Sequence, residues 1–318
     1  MSLIPAFDFH RVVIVPWTTE LPTFGWVALM GFLVATACGL VGNYLILRRM
    51  ALVGDAISHT VLPGLVVAFL LAKSRNSAAM FIGALVAGML TTVLIEVIHK
   101  KSRIKQDAAI GIVFSSLFAL GVILVSAYAG KVDLDQECVL YGEIGTVSFE
   151  QPFVQLGSLT LGPPSVVRLA VVTVIVALLI IFFYKELLVS SFDPALAFSL
   201  GINATFVHYA LMSVLSIVVV SAFESVGAIL VIAMLILPGA SASLLSSRLP
   251  VVLGLSVVHA ALSSVLGVML AVWMDCPVAG AMVVMGGALF GLAWLVHRIR
   301  ALTLPKAVPS AEPAGESA

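Results

Sequence analysis

Asp55 and His59 stand one helical turn apart in the apolar run LVGDAISHTVLPG. On a helix, residues i and i+4 project from one face with Cβ atoms about 6 Å apart, so an acid and an imidazole at this spacing can close on one ion. A carboxylate oxygen with an imidazole nitrogen is a mixed donor pair that suits Mn²⁺, Fe²⁺ or Zn²⁺ better than Ca²⁺ or Mg²⁺, which favour oxygen alone. Two donors are too few for a tight structural site, and a weak grip is what an ion in transit requires. Water, backbone carbonyls, other helices or a second subunit would supply the remaining ligands. The bland alternative has Asp55 reaching the interface or pairing with Arg48 or Arg49, and His59 packing as a neutral ring. Pro63 and Gly64 predict a kinked or interrupted helix that opens backbone carbonyls nearby.

Other ionisable groups rank below this pair. Glu224, in SAFESVGAILVIAMLILPGA, falls at a turn between two apolar runs. The preferred reading there is a solvated turn residue, and the functional alternative is a secondary metal ligand at the gate. His10, His99 and His297 read as interfacial, and the lone His208 and His259 as satisfied packing residues.

These side chains must be carried by a membrane scaffold. The chain is 61% hydrophobic and 10% charged, with a mean hydropathy of +1.19, far from the roughly 25% charged content of a soluble domain. Runs near the 20 residues that cross about 30 Å of hydrocarbon define an all-α, polytopic helical membrane protein. A carboxylate at a bilayer centre costs roughly 2.5 to 3.5 kcal/mol, so one retained in a span faces a bundle interior or a water path and has a partner. Sixteen basic residues balance sixteen acidic ones, which gives no case for nucleic-acid binding. Cys38, Cys138 and Cys276 are far apart and form no CxxC cluster, so neither a disulfide framework nor a thiolate metal site is expected. The N-terminus lacks a basic n-region and short h-region, so insertion without processing is expected.

About nine transmembrane helices are read, with eight to ten bracketing the count: Phe24 to Leu47, Ala51 to Ala72, Ser77 to His99, Asp107 to Ala129, Val166 to Tyr184, Thr205 to Ala222, Val226 to Leu245, Val251 to Met274 and Val278 to Val296. An outside N-terminus puts eleven Lys and Arg on the cytoplasmic side, among them Arg48, Arg49, Lys100, Lys101 and Lys185, against five outside. The domain reading is an extension at 1–23, a permease domain at 24–300 and a C-terminal tail at 301–318, disordered from Lys306. Gly130 to Ser165 reads as a structured external cap or re-entrant segment. On the cytoplasmic face, KELLVSSFDPALAFSLGIN (185–203) predicts one short amphipathic helix, N-capped by Ser190 or Ser191 ahead of Asp193 and Pro194 and C-capped at Gly201. Small residues at Gly83, Ala87 and Gly88, and at Gly287 and Gly291, predict close helix approach.

The runs LILRRMALVGDAISHTVLPG, FDPALAFSLGI and VGAILVIAMLILPGASA, in this order and at these separations, resemble the ABC-type metal-ion permease family of manganese, zinc and iron importers. The resemblance covers roughly Phe24 to Arg300. It implies an ABC importer permease in a bacterial inner or cytoplasmic membrane, in contact with lipid. It further implies a homodimer or heterodimer with a second permease subunit, a cytoplasmic ABC ATPase and an extracytoplasmic metal-binding protein. Asp55 and His59 carry over as the ion site, and Asp193, Pro194 and Gly201 as the segment that docks on the ATPase. The wording of DAISHTVLPG is closer to the manganese and iron branches. The cargo expected is thus manganese, with iron or zinc as alternatives, and no permanently bound cofactor. No GxxxxGK[ST] occurs, so ATP hydrolysis falls to a partner. The rival is a self-sufficient proton-coupled secondary metal transporter or channel. An intramembrane enzyme ranks last, for want of HExxH or a nucleophile beside a base.

Overall fold

The structure, a computed structural model, describes residues 5–72, 77–128, 144–156 and 159–303. The residues after Thr303, those at 129–143 and Cys138 lie outside the described residues, and with them the expectation for the tail. Apolar side chains cannot satisfy a backbone in hydrocarbon, so a helix that closes its own hydrogen bonds is the form these runs must take. Among the described residues nine helices are long and apolar enough to cross a membrane. They are α2 (Leu21–Leu47), α3 (Val53–Ala72), α4 (Ser77–Lys101), α5 (Gln106–Tyr128), α6 (Pro164–Phe182), α9 (Ala204–Val226), α10 (Ala228–Leu245), α11 (Leu249–Met274) and α12 (Val278–Thr303). Short helices α1 (Val15–Thr18), α7 (Tyr184–Phe192) and α8 (Pro194–Ser199) complete the set. The ends agree with the charge and proline signals to within a turn, except that α12 runs well past Val296.

Helix α2 is the axis of the bundle: 72% of its spanning window is buried, and α6, α10 and α11 surround it. Its glycines permit this. A Cβ on Gly42 would overlap the main-chain carbonyl of Leu235 in α10, and one on Gly39 would press on Pro238 at 3.1 Å. Helices α3, α4 and α5 pack on one another as a second group, which α9 and α10 join to the first. There Gly64 and Gly83 bring the α3 and α4 backbones together, as the small-residue spacing predicts. The same spacing misleads at Gly287 and Gly291, where a Cβ would meet nothing within 4 Å. Both glycines lie on the open side of α12, and spacing alone does not say which face a neighbour covers.

The stretch ahead of α2 folds back on the bundle. Trp273 Nε1 donates to the Pro5 carbonyl at 3.1 Å, and Phe7 meets the Trp273 ring edge-on at 5.4 Å. The described part of the long connection before α6 is ordered. A 3₁₀ turn (Ile144–Phe149) is pinned by Ser148 Oγ donating to the Thr23 carbonyl at 2.6 Å, and strands β1 (Val154–Leu156) and β2 (Leu159–Gly162) pair antiparallel. Glu150 then accepts from the Ser165 amide at 3.1 Å and caps α6.

Candidate functional site

Asp55 occupies the first turn of α3, where the free amides of the helix start favour a negative charge. At 1.5 Å per residue it stands about 3 Å along the axis from Val53, and His59 about 9 Å. The pair therefore belongs to the inner end of the span rather than to its middle. His59 Nε2 lies 3.5 Å from Asp55 Oδ1. The imidazole is held edge-on by Phe114 and Phe118 of α5, at ring distances of 5.4 and 5.9 Å. These contacts fix the imidazole and leave its polar edge toward the carboxylate.

Arg48, the first of the expected rivals for Asp55, is otherwise engaged. Arg48, the C-cap residue of α2, turns toward the cytoplasmic segment: Nε donates to Ser191 Oγ at 3.0 Å and Nη2 to Ser190 Oγ at 2.9 Å, while Nη1 lies 3.2 Å from His208 Nδ1. Burial lowers the Arg48 pKa from the usual arginine value. Arg49 is exposed. The side chains of Asp55 and His59 are 42% and 27% exposed, on the flank where α3 and α5 meet. Among the described residues no group of three or more His, Cys, Asp and Glu side chains gathers anywhere. Asp55 and His59 thus stand as a pair of such side chains, not as part of a larger group, among the described residues.

Pro63 lies inside α3, which continues through it, so of the expected kinked or interrupted helix the interruption is absent. Proline has no amide proton to give the carbonyl of His59, so the helix leaves that oxygen free of its usual bond. Glu224 is in the last turn of α9 rather than in a loop, because the helix continues to Val226; its side chain lies outside the described residues. His208 is not the lone packing residue expected, since it joins Arg48 to Glu96 of α4, whose Oε2 is 3.7 Å from Nε2. His259 is buried as expected, but its Nε2 has no hydrogen-bond partner among the described residues. Glu96 itself escaped the sequence reading. The usable signal was an acid inside a span with Lys100 four residues on, a pair the structure joins.

Residues 185–203 form parts of two helices where one was expected. Asp193 breaks the chain between them with extended backbone and caps α8 itself, accepting from the amides of Ala195 and Leu196 at 3.0 Å each. Ser190 and Ser191, the expected caps, instead end α7 and hold Arg48. Pro194 fills the first position of α8. At the other end Gly201 takes φ +77°, its amide reaches the Phe198 carbonyl at 3.0 Å, and Ile202 reaches Ala197 at 2.9 Å. This is the double bond pattern of a Schellman stop, which needs the left-handed residue glycine supplies. The result is a short helix capped at both ends, with Phe198 84% exposed at its surface.

A bundle of nine apolar helices among the described residues, with a short capped helix at one end, is the architecture of a polytopic membrane protein. The profile of the ABC 3 transport family matches residues 20–297, and the chain belongs to that family. It is 46% identical over 270 residues to the manganese transport system membrane protein MntD of Bacillus subtilis, covering 85% of this chain and 90% of that one. It is 45% identical over 269 residues to the zinc transport system membrane protein TroD of Treponema pallidum, covering 85% and 72%. The structure of PsaBC from Streptococcus pneumoniae in complex with Fab superposes with a TM-score of 0.74 at 33% identity, covering 93% of this chain and all of that one. The chain is a multi-pass permease subunit of an ABC importer in a bacterial plasma membrane, with ATP hydrolysed by a separate subunit. That membership displaces the self-sufficient secondary transporter.

Proposed function

We propose that this permease carries a divalent transition metal ion, manganese first, and that Asp55 and His59 are its ligands. The observation that carries the reading is the 3.5 Å pair, half exposed at the inner end of an apolar span and unpaired with Arg48. The manganese and zinc transport systems named among the relatives support the choice of cargo, and iron has no counterpart among those named here. A carboxylate and a neutral imidazole hold such an ion weakly enough to release it, since two protein donors leave most of the shell to water or to a second subunit.

In this reading a second permease, identical or a sister chain, packs on the α3 and α5 flank and completes both the shell and the path. A metal-binding protein delivers the ion from outside. A cytoplasmic ABC ATPase pair receives α8 with its Asp193, Pro194 and Gly201, and closure of that pair moves the helices so that the site faces outward and inward in turn. The test is Mn²⁺ uptake into proteoliposomes that hold the assembled transporter. Asp55→Ala should abolish uptake and Mn²⁺ binding while the ATPase still co-purifies. Undiminished uptake by that variant would remove the proposed site.

A further inference from the structure

At the inner end of the bundle lies a cavity of about 510 Å³, bounded by the ends of α2 and α4, the starts of α3 and α9, and the residues Ser190, Ser191 and Pro194. Its charged lining is Arg48, Arg49 and Lys100 against Glu96, with His99 and His208 beside them. Three cations against one anion make it a poor stop for a departing metal ion. The side chains instead stand in one row, hydrogen-bonded from Ser190 and Ser191 through Arg48 to His208, with His208 Nε2 then 3.7 Å from Glu96 Oε2. Arg48 holds Ser190 and Ser191 at the end of α7 and donates to His208 Nδ1, which leaves Nε2 of the imidazole carrying its proton toward Glu96; Glu96 in turn pairs with Lys100. Six side chains thus run from the projecting segment to α2, α4 and α9 across one open space.

Arg48 also joins that segment, by its hydrogen bonds to Ser190 and Ser191, to the stretch of chain that leads into α3. Between it and α3 the backbone is a closed turn: Arg49 N reaches the Ile46 carbonyl at 3.0 Å, Met50 N reaches Leu45 at 2.8 Å, and Val53 N reaches Met50 at 3.1 Å. Arg49 sits in the left-handed region at φ +58° to make this stop. A turn so tightly bonded passes a displacement of Arg48 on to the first turn of α3, where Asp55 stands, instead of absorbing it. The cavity supplies the room for the movement.

We infer that Arg48 is a positioning residue of the transport cycle, the latch through which movement of α7 and α8 is delivered to the helix that carries Asp55. This deepens the proposed function and rests on its placement of the metal pair and the ATPase. The latch acts through the α2–α3 turn and touches neither metal nor nucleotide. Its loss must therefore separate ATP hydrolysis from ion movement while leaving each step's own machinery in place.

The test uses the complete transporter in proteoliposomes, with Arg48→Ala, Arg48→Lys, the pair Ser190→Ala with Ser191→Ala, and Asp55→Ala. Three quantities are read: Mn²⁺ bound without ATP, ATP hydrolysed without metal, and Mn²⁺ moved per ATP. Arg48→Ala should keep the first two and lose about tenfold or more of the third. Arg48→Lys, which retains the charge but not the fork, should recover part of it, and the serine pair should lose several-fold. Unchanged Mn²⁺ per ATP in the serine pair overturns the latch even where Arg48→Ala fails to assemble. Failure of the metal site itself has a different signature, retained Mn²⁺ binding in Asp55→Ala, so the two outcomes are told apart.

Discussion

Substitution of Asp193 separates two ways in which an acid on a docking segment can matter. Its carboxylate accepts from the amides of Ala195 and Leu196 at 3.0 Å each, and nothing else at the start of a six-residue helix offers those donors a partner. Removing an N-cap of this kind costs about 1 kcal/mol, within a range of about 0.5 to 2. Short helices are marginal alone, so this cost falls directly on the fraction of the segment that stands ordered before docking. A loss of about 1 kcal/mol is a factor of about five in the ratio of ordered to disordered segment, and the apparent affinity for a partner that needs the ordered form falls by at most that factor. Asp193→Ala should therefore weaken binding of the ATPase subunit to the permease in nanodiscs by up to about fivefold. Asp193→Asn, which caps as well without the charge, should bind as the parent does. The measurement is a titration of the two variants side by side. If Asn were as damaging as Ala, the charge would be contacting the partner directly and the capping argument would be wrong; if neither changed the affinity, α8 would not be the docking element.

Gly201→Ala places a Cβ at φ +77° in open space, so its cost is purely that of the backbone, about 1 to 2 kcal/mol, and ATPase binding should weaken five- to thirtyfold. Gly287→Ala, equally open but helical, is the control: thermal unfolding in detergent should be unchanged or raised, by about 1 kcal/mol at most. Gly42→Ala drives a methyl into the Leu235 carbonyl, with backbone on both sides and no side chain to give way, so α2 and α10 must part. A loss of about 3 kcal/mol or more in the same assay is expected, and a variant as stable as the parent would show that the two helices are not in register at this contact.

The spans were legible because hydrocarbon imposes one solution on an apolar run about 20 residues long, and prolines or basic pairs mark where it stops. The Asp193, Pro194 and Gly201 signals were legible for a related reason, since caps and stops are local and their residue types follow from backbone geometry. What the sequence withheld lies in groups distant along the chain. Arg48 and His208 are 160 positions apart, and nothing local to either says that a guanidinium waits beside that imidazole. The same blindness applied to Ser190 and Ser191, whose types suit a cap but whose hydroxyls serve α2. It applied again to Gly287 and Gly291, whose spacing matches that of packed glycines while the side they face is open.

Burial across the bundle bears on how the metal pair works. The spanning window of α2 is 72% buried, that of α3 39% and that of α5 only 22%, so one chain finishes its packing around α2 and leaves the α3 and α5 flank unfinished. Asp55 and His59 stand on that unfinished flank. In the proposed assembly a second permease covers this flank and brings polar groups of its own, so that association of the two chains and binding of the ion would draw on the same surface. Ligands contributed from both sides of such an interface part when the chains rock, and a site that needs both sides then loses its grip on the ion. In that arrangement weak two-donor ligation within each chain is what lets movement between the subunits set the affinity for the ion.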